Sequence, residues 1–123
     1  MKIFKIIVPI FDQQIRLVIW ENRGDDKKAF DLAGGFEASQ KVWYAKKDVE
    51  GFCLEDDLII FLWKVDNLNV IVHEAQHLTM ALIKRCWLPM PNYKNNELNS
   101  YFTAWIVDEV NKNVEKYKAS KKS

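Results

Sequence analysis

The spacing of apolar residues changes once along this chain of 123 residues, and that change constrains the fold more than any other feature. Up to Trp63 the apolar residues come in short alternating or continuous runs, as in strands; from Asn67 they recur every three to four positions, as in helices. Lys2 to Phe11 is apolar and β-branched, and Pro9 marks a strand end or a sheet edge. Gln14 to Trp20 alternates, with Ile15, Leu17 and Ile19 on one face and Arg16 on the other, and Asp12-Gln13 suits a tight hairpin between the two strands. Glu21 to Asp31 is polar turn material, and Gly34-Gly35 breaks the chain. Phe36, Ala38, Val42 and Tyr44 carry the period of two to about Ala45, and Val49 to Leu54 reads as a further short strand. Leu58 to Trp63 is apolar at every position, which suits a strand covered on both faces.

Asp66 or Asn67 can cap a helix that runs to about Arg85. Cys86-Trp87-Leu88-Pro89-Met90-Pro91 ends it, because proline cannot continue a helix. Asn95 or Asn96 can cap a second helix to about Tyr117. Strands first and helices afterwards give an α+β fold: a mostly antiparallel N-terminal sheet packed against two long C-terminal helices. The length fits one domain, 1–118, with 119–123 as a disordered basic tail.

Basic residues number 18 and acidic ones 17, so nothing resembles the basic stripe of a nucleic-acid binder. The longest clean apolar run, Leu58 to Trp63, is far too short to cross a membrane, and the N-terminus lacks the pattern of a signal peptide. Cys53 and Cys86 lie in apolar surroundings without a Cys-x-x-Cys spacing, which reads as two free thiols in a reducing, cytoplasmic setting.

The two histidines of the chain are His73 and His77, in the segment His73-Glu74-Ala75-Gln76-His77. Two histidines placed at random in this chain fall four apart about once in sixty times, and a glutamate directly after the first lowers this to roughly one in a thousand. On a helix, positions i and i+4 share a face, so both imidazoles can chelate one Zn²⁺ with Glu74 as general base. Leu68, Ile71, Val72, Ala75, Leu78, Leu82 and Cys86 gather on one side of this helix, with the histidines roughly opposite. Val70 and Ala81 flank the histidines, which suggests a helix buried most of the way round. Buried polar groups need partners, and a metal would satisfy both imidazoles at once.

A catalytic zinc usually takes three protein ligands and a water. Glu97, twenty positions after His77 on the first turn of the second helix, is the best third candidate. Glu97, Tyr101, Ala104 and Asp108 form one stripe on that helix beside the apolar Leu98, Phe102, Trp105 and Ile106. Asp108 would then be a hydrogen-bond partner behind the ligands.

With these residues the sequence resembles the gluzincin branch of zinc metallopeptidases, in a minimal single-domain, zincin-like form. The resemblance covers about Gly51 to Asp108, including the strand Leu58 to Trp63 and the lead-in Asn69-Val70-Ile71-Val72. It implies His73, His77 and Glu97 as zinc ligands and Glu74 as base. Many gluzincins carry an Asp four residues after the ligand Glu; here that position is Tyr101. A third histidine to stabilise the oxyanion is missing too, a role that leaves Tyr101, Tyr93 or Arg85 as candidates.

Three functions are consistent with these residues. The first is a zinc peptidase acting on a protein or peptide that lies along a strand edge. The second is a non-catalytic zinc domain that works by protein–protein recognition, such as a phage or mobile-element protein binding a host factor. The third has no metal, with the histidines satisfied by Glu97, Asp108 and backbone groups. The apolar loop Trp87 to Pro91 could serve as a substrate wall or a partner patch.

Overall fold

The structure is a computed structural model that describes residues 2–9, 12–21, 51–55, 58–62, 67–86, 88 and 97–121. The expected strand from Phe36 to Ala45, the loop Trp87 to Pro91 apart from Leu88, Tyr93 and the caps at Asn95 or Asn96 lie outside these residues. Among the described residues four strands form one sheet: β1 (Lys2–Val8), β2 (Gln13–Ile19), β3 (Gly51–Leu54) and β4 (Ile59–Leu62), in the order β1-β2-β4-β3. Two helices follow, α1 (Leu68–Arg85) and α2 (Glu97–Lys121). The fold is therefore α+β, with strands preceding helices in the chain.

The ladders β1–β2 and β3–β4 are antiparallel, and the central pair β2–β4 is parallel. The β1–β2 hairpin turns through Asp12, whose positive φ of 51° is one that Asp tolerates better than most residues. Between β3 and β4, Leu54 pairs with Ile59, and Leu58 N–H donates to the Glu55 carbonyl. Leu58 takes a φ of 53°, strained for a branched residue, but its side chain is buried and Arg16 N–H donates to its carbonyl at 2.9 Å. All four residues of β4 are buried, as a continuous apolar run between two strands requires.

One face of the sheet carries Ile6, Val8, Ile15, Leu17, Ile19, Ile60 and Leu62. Against them pack Ile71, Ala75, Leu78 and Leu82 of α1 and Ile106, Val110, Val114 and Tyr117 of α2. On the opposite face Trp20 meets Phe61 edge to face, with ring centroids 6.0 Å apart.

Asn67 caps α1, its side-chain oxygen accepting from Asn69 N–H at 3.0 Å. α1 ends at Arg85, with Cys86 N–H donating to the Leu82 carbonyl. α2 continues to Lys121, past Tyr117, so Ala119 to Lys121 of the expected tail are helical. Lys121 pairs with Glu21 just beyond β2 and stands 4.9 Å from the centre of the Tyr117 ring, which anchors this last turn. Arg85, at the far end of α1, donates to Gln13 at the start of β2. One helix thus ends where β2 begins and the other where β2 ends, so α1 and α2 are antiparallel.

Cys53 and Cys86 are free thiols. Among the described residues no helix is long and apolar enough to cross a membrane.

Candidate metal centre

His73 and His77 occupy the solvent side of α1, with 67% and 49% of their side chains exposed. The flanking Val70 and Ala81 are half-buried in the core, and they leave the histidine face open instead of covering it. This corrects the expectation of a helix buried most of the way round. The helix is amphipathic, and its one carboxylate on the buried side is Glu74, only 6% exposed.

The Nε2 atoms of the two imidazoles stand 3.3 Å apart, and the rings meet at 72°. Two nitrogens bound to one tetrahedral zinc at 2.0–2.1 Å are separated by about 3.3 Å. The pair therefore has the spacing that the ion requires. His77 Nδ1 lies 3.1 Å from Glu55 Oε1. A carboxylate only accepts, so Nδ1 carries the proton and, in the neutral ring, Nε2 presents its lone pair toward His73. In the absence of metal, His73 Nε2–H can donate to that lone pair. A metal would take the place of this proton. Glu74 Oε1 is 3.9 Å from His73 Nε2, beside the point on which the two nitrogens converge.

β3 and its turn deliver the groups that hold this arrangement. Gly51, Cys53 and Glu55 are spaced by two, so they share one face of the strand. Val70, Glu74 and His77 are spaced by four and three, so they share one face of α1. The two rows meet in register. A Cβ on Gly51 would lie 2.8 Å from Val70 Cγ1 and 3.0 Å from the Phe61 carbonyl oxygen. The Cys53 thiol faces the Glu74 carboxylate, whose negative charge acts on it. Glu55 bonds to His77. Burial, and then the negative charges of Glu74 and Glu55, push the Cys53 thiol well above its ordinary range, so it is present as the neutral S–H donor. Cys53, Glu55 and His77 also bring three potential ligand atoms within 4.8 Å of one another.

The residues on α2 are placed differently. Thr79 and Thr103 join the helices through hydroxyl oxygens 2.8 Å apart. In an antiparallel pair, Glu97 then lies about 9 Å from Thr103 toward the Arg85 end, while His77 and His73 lie about 3 and 9 Å the other way. Glu97 is exposed and does not join the histidines. Tyr101 lies on the same side of Thr103 as Glu97 and is 71% exposed. Asp108 is on the histidine side of Thr103, but its carboxylate is exposed and pairs with Lys112 at 3.3 Å. The partner of a histidine that sequence spacing sought in Asp108 is supplied instead by Glu55. The only local signal for it was the spacing of two that links Glu55 to Cys53 and Gly51, because its target is 22 positions away.

Comparison of the chain with protein-family models, with curated proteins and with solved structures gave no match.

Proposed function

We propose that the chain is a zinc-dependent hydrolase of the His-Glu-x-x-His type, acting on peptide bonds, with His73 and His77 as the nitrogen ligands. The observation that carries this reading is the 3.3 Å separation of the two Nε2 atoms, with the outer nitrogen of His77 already engaged by Glu55. Glu97 is the third ligand of the proposal on sequence pattern alone, since the described geometry holds it toward the other end of the helix pair. When bound, zinc lowers the pKa of a coordinated water to about 7 and polarises a substrate carbonyl. Glu74, with Oε1 3.9 Å from His73 Nε2, would take a proton from the attacking water and pass it to the leaving amine. Tyr101 would reach a substrate only where the substrate extends over the exposed start of α2. Two free thiols and a balanced charge suit a cytoplasmic protein that acts on protein or peptide and not on nucleic acid.

A second reading keeps the zinc and drops the chemistry. It is favoured by one observation: the expected third ligand is not gathered at the histidines. In that reading the metal fastens surface groups of α1, and the function is recognition of a protein partner. Glu74→Gln separates the two. It keeps the size of the side chain and removes the base, so the hydrolase reading expects zinc content and fold to be retained and cleavage of a peptide library to fall by several orders of magnitude. Unchanged activity in this variant decides against catalysis.

A further inference from the structure

We propose that Glu55 is a positioning residue of the metal centre: from the turn at the end of β3 it fixes the tautomer and orientation of His77, and so tunes zinc affinity from outside the ligand set. This deepens the zinc reading above and rests on it. The group that orients a ligating imidazole usually accepts from the ring nitrogen that faces away from the metal. Glu55 Oε1 occupies that place, 3.1 Å from His77 Nδ1, while His77 Nε2 faces His73.

The turn itself is built to hold Glu55 there. The Glu55 carbonyl accepts from Leu58 N–H, which closes the β3–β4 hairpin around it. Gly51 lets the strand approach α1 so closely that a methyl group would collide with Val70. Cys53, one position up the same strand face, faces Glu74. A single short strand thus sets both the base and one ligand of the helix, through Cys53 and Glu55 in turn. An imidazole free in solution prefers its proton on Nε2, the nitrogen that zinc needs. Holding the proton on Nδ1 in advance removes a tautomer change from the binding step.

The same three residues pose a rival arrangement, in which a metal sits on the Nδ1 side of His77 among Cys53, Glu55 and that nitrogen. It would require Cys53 to release its proton on binding, and it would leave His73, whose Nε2 stands 3.3 Å from His77 Nε2, without a role.

The test uses the full chain with three variants, Glu55→Ala, Glu55→Gln and Cys53→Ser. Zinc affinity is read by competition with a chromophoric chelator, and the His77 tautomer by ¹⁵N NMR of the metal-free protein. In wild type, His77 should carry its proton on Nδ1. Glu55→Ala should shift it toward Nε2 and weaken zinc binding roughly 10- to 100-fold. Glu55→Gln, whose amide oxygen still accepts, should keep the tautomer and lose less affinity. Cys53→Ser should change zinc affinity by less than about threefold. Wild-type tautomer and affinity in Glu55→Ala overturn the proposal. A loss in Cys53→Ser as large as in Glu55→Ala also overturns it, in favour of the Nδ1-side site. A wild-type protein that binds no zinc removes the zinc reading, while the NMR comparison still decides whether Glu55 sets the tautomer.

Discussion

Thr79 donates its hydroxyl hydrogen to the Ala75 carbonyl at 2.8 Å, so the 2.8 Å contact with Thr103 must be a hydrogen bond donated by Thr103. This chain of two bonds crosses from α1 to α2 two residues after His77, and it fixes the register of the helix pair.

Replacing either threonine with valine keeps the shape and breaks the link. Thr79→Val leaves the Thr103 hydroxyl without its acceptor, and each single change should cost about 1 kcal/mol in urea denaturation. The double variant should lose at least about 0.5 kcal/mol less than two independent losses would predict, because one interaction is removed only once. Strict additivity would mean that the contact contributes nothing.

Gly51→Ala places a methyl group 2.8 Å from Val70 Cγ1 and 3.0 Å from the Phe61 carbonyl oxygen. Overpacking of this kind costs about 1–3 kcal/mol. Val70→Ala in the same chain should return part of that loss, although the backbone contact remains. If Gly51→Ala is as stable as wild type, the close approach of β3 to α1 is not needed.

Zinc should stabilise the protein, since an ion that binds only the native state at one hundred times its Kd adds about 2.7 kcal/mol. The rise in Tm should vanish in His73→Ala and in His77→Ala and persist in Gln76→Ala, the exposed neighbour between them. An equal rise in all four proteins would place the metal elsewhere.

Glu97 is decided by comparison with Glu109 on the same helix. As third ligand, Glu97→Ala should weaken zinc binding more than tenfold beyond Glu109→Ala, with Asp108→Asn having little effect because its carboxylate is engaged with Lys112. Equal affinities for the two glutamate variants would show that α2 supplies no ligand.

Cys53 predicts a loss of stability in alkali. Its thiol is held protonated in the folded protein, well above the ordinary value of 9.0, while in the unfolded chain it ionises near that value. The folded pKa is the higher one, so this contribution is intact below pH 9 and is lost as pH rises beyond it. Cys53→Ala should flatten the decline of stability above pH 9, measured as the urea midpoint against pH. An unchanged alkaline slope would mean that the thiol titrates freely in the fold.

Local patterns were legible where one element carried its own signal. The unbroken apolar run of β4, the Asn67 cap, the end of α1 before Pro89 and the shared face of His73 and His77 all follow from spacing alone. The exposure of the histidines did not follow, because Val70 and Ala81 look apolar in sequence yet spend that character on the core beneath the helix. The parallel pairing of β2 with β4 was not legible either, since no short-range period encodes which distant strand lies alongside. Glu55 was missed for the same reason: a carboxylate at a turn looks like ordinary surface until His77 is brought to it.

The β3–β4 hairpin and α1 are consecutive among the described elements, and Gly51 to His77 includes both histidines, Glu74 and Glu55. Contacts between near neighbours close short loops and form early, whereas β2 can reach β4 only across a long excursion. The expected order of assembly is therefore hairpin onto helix first and the N-terminal strands afterwards. A metal ion would meet its two histidine ligands in the part of the molecule that takes shape soonest, and the N-terminal hairpin would serve to retain a histidine pair that it does not itself define.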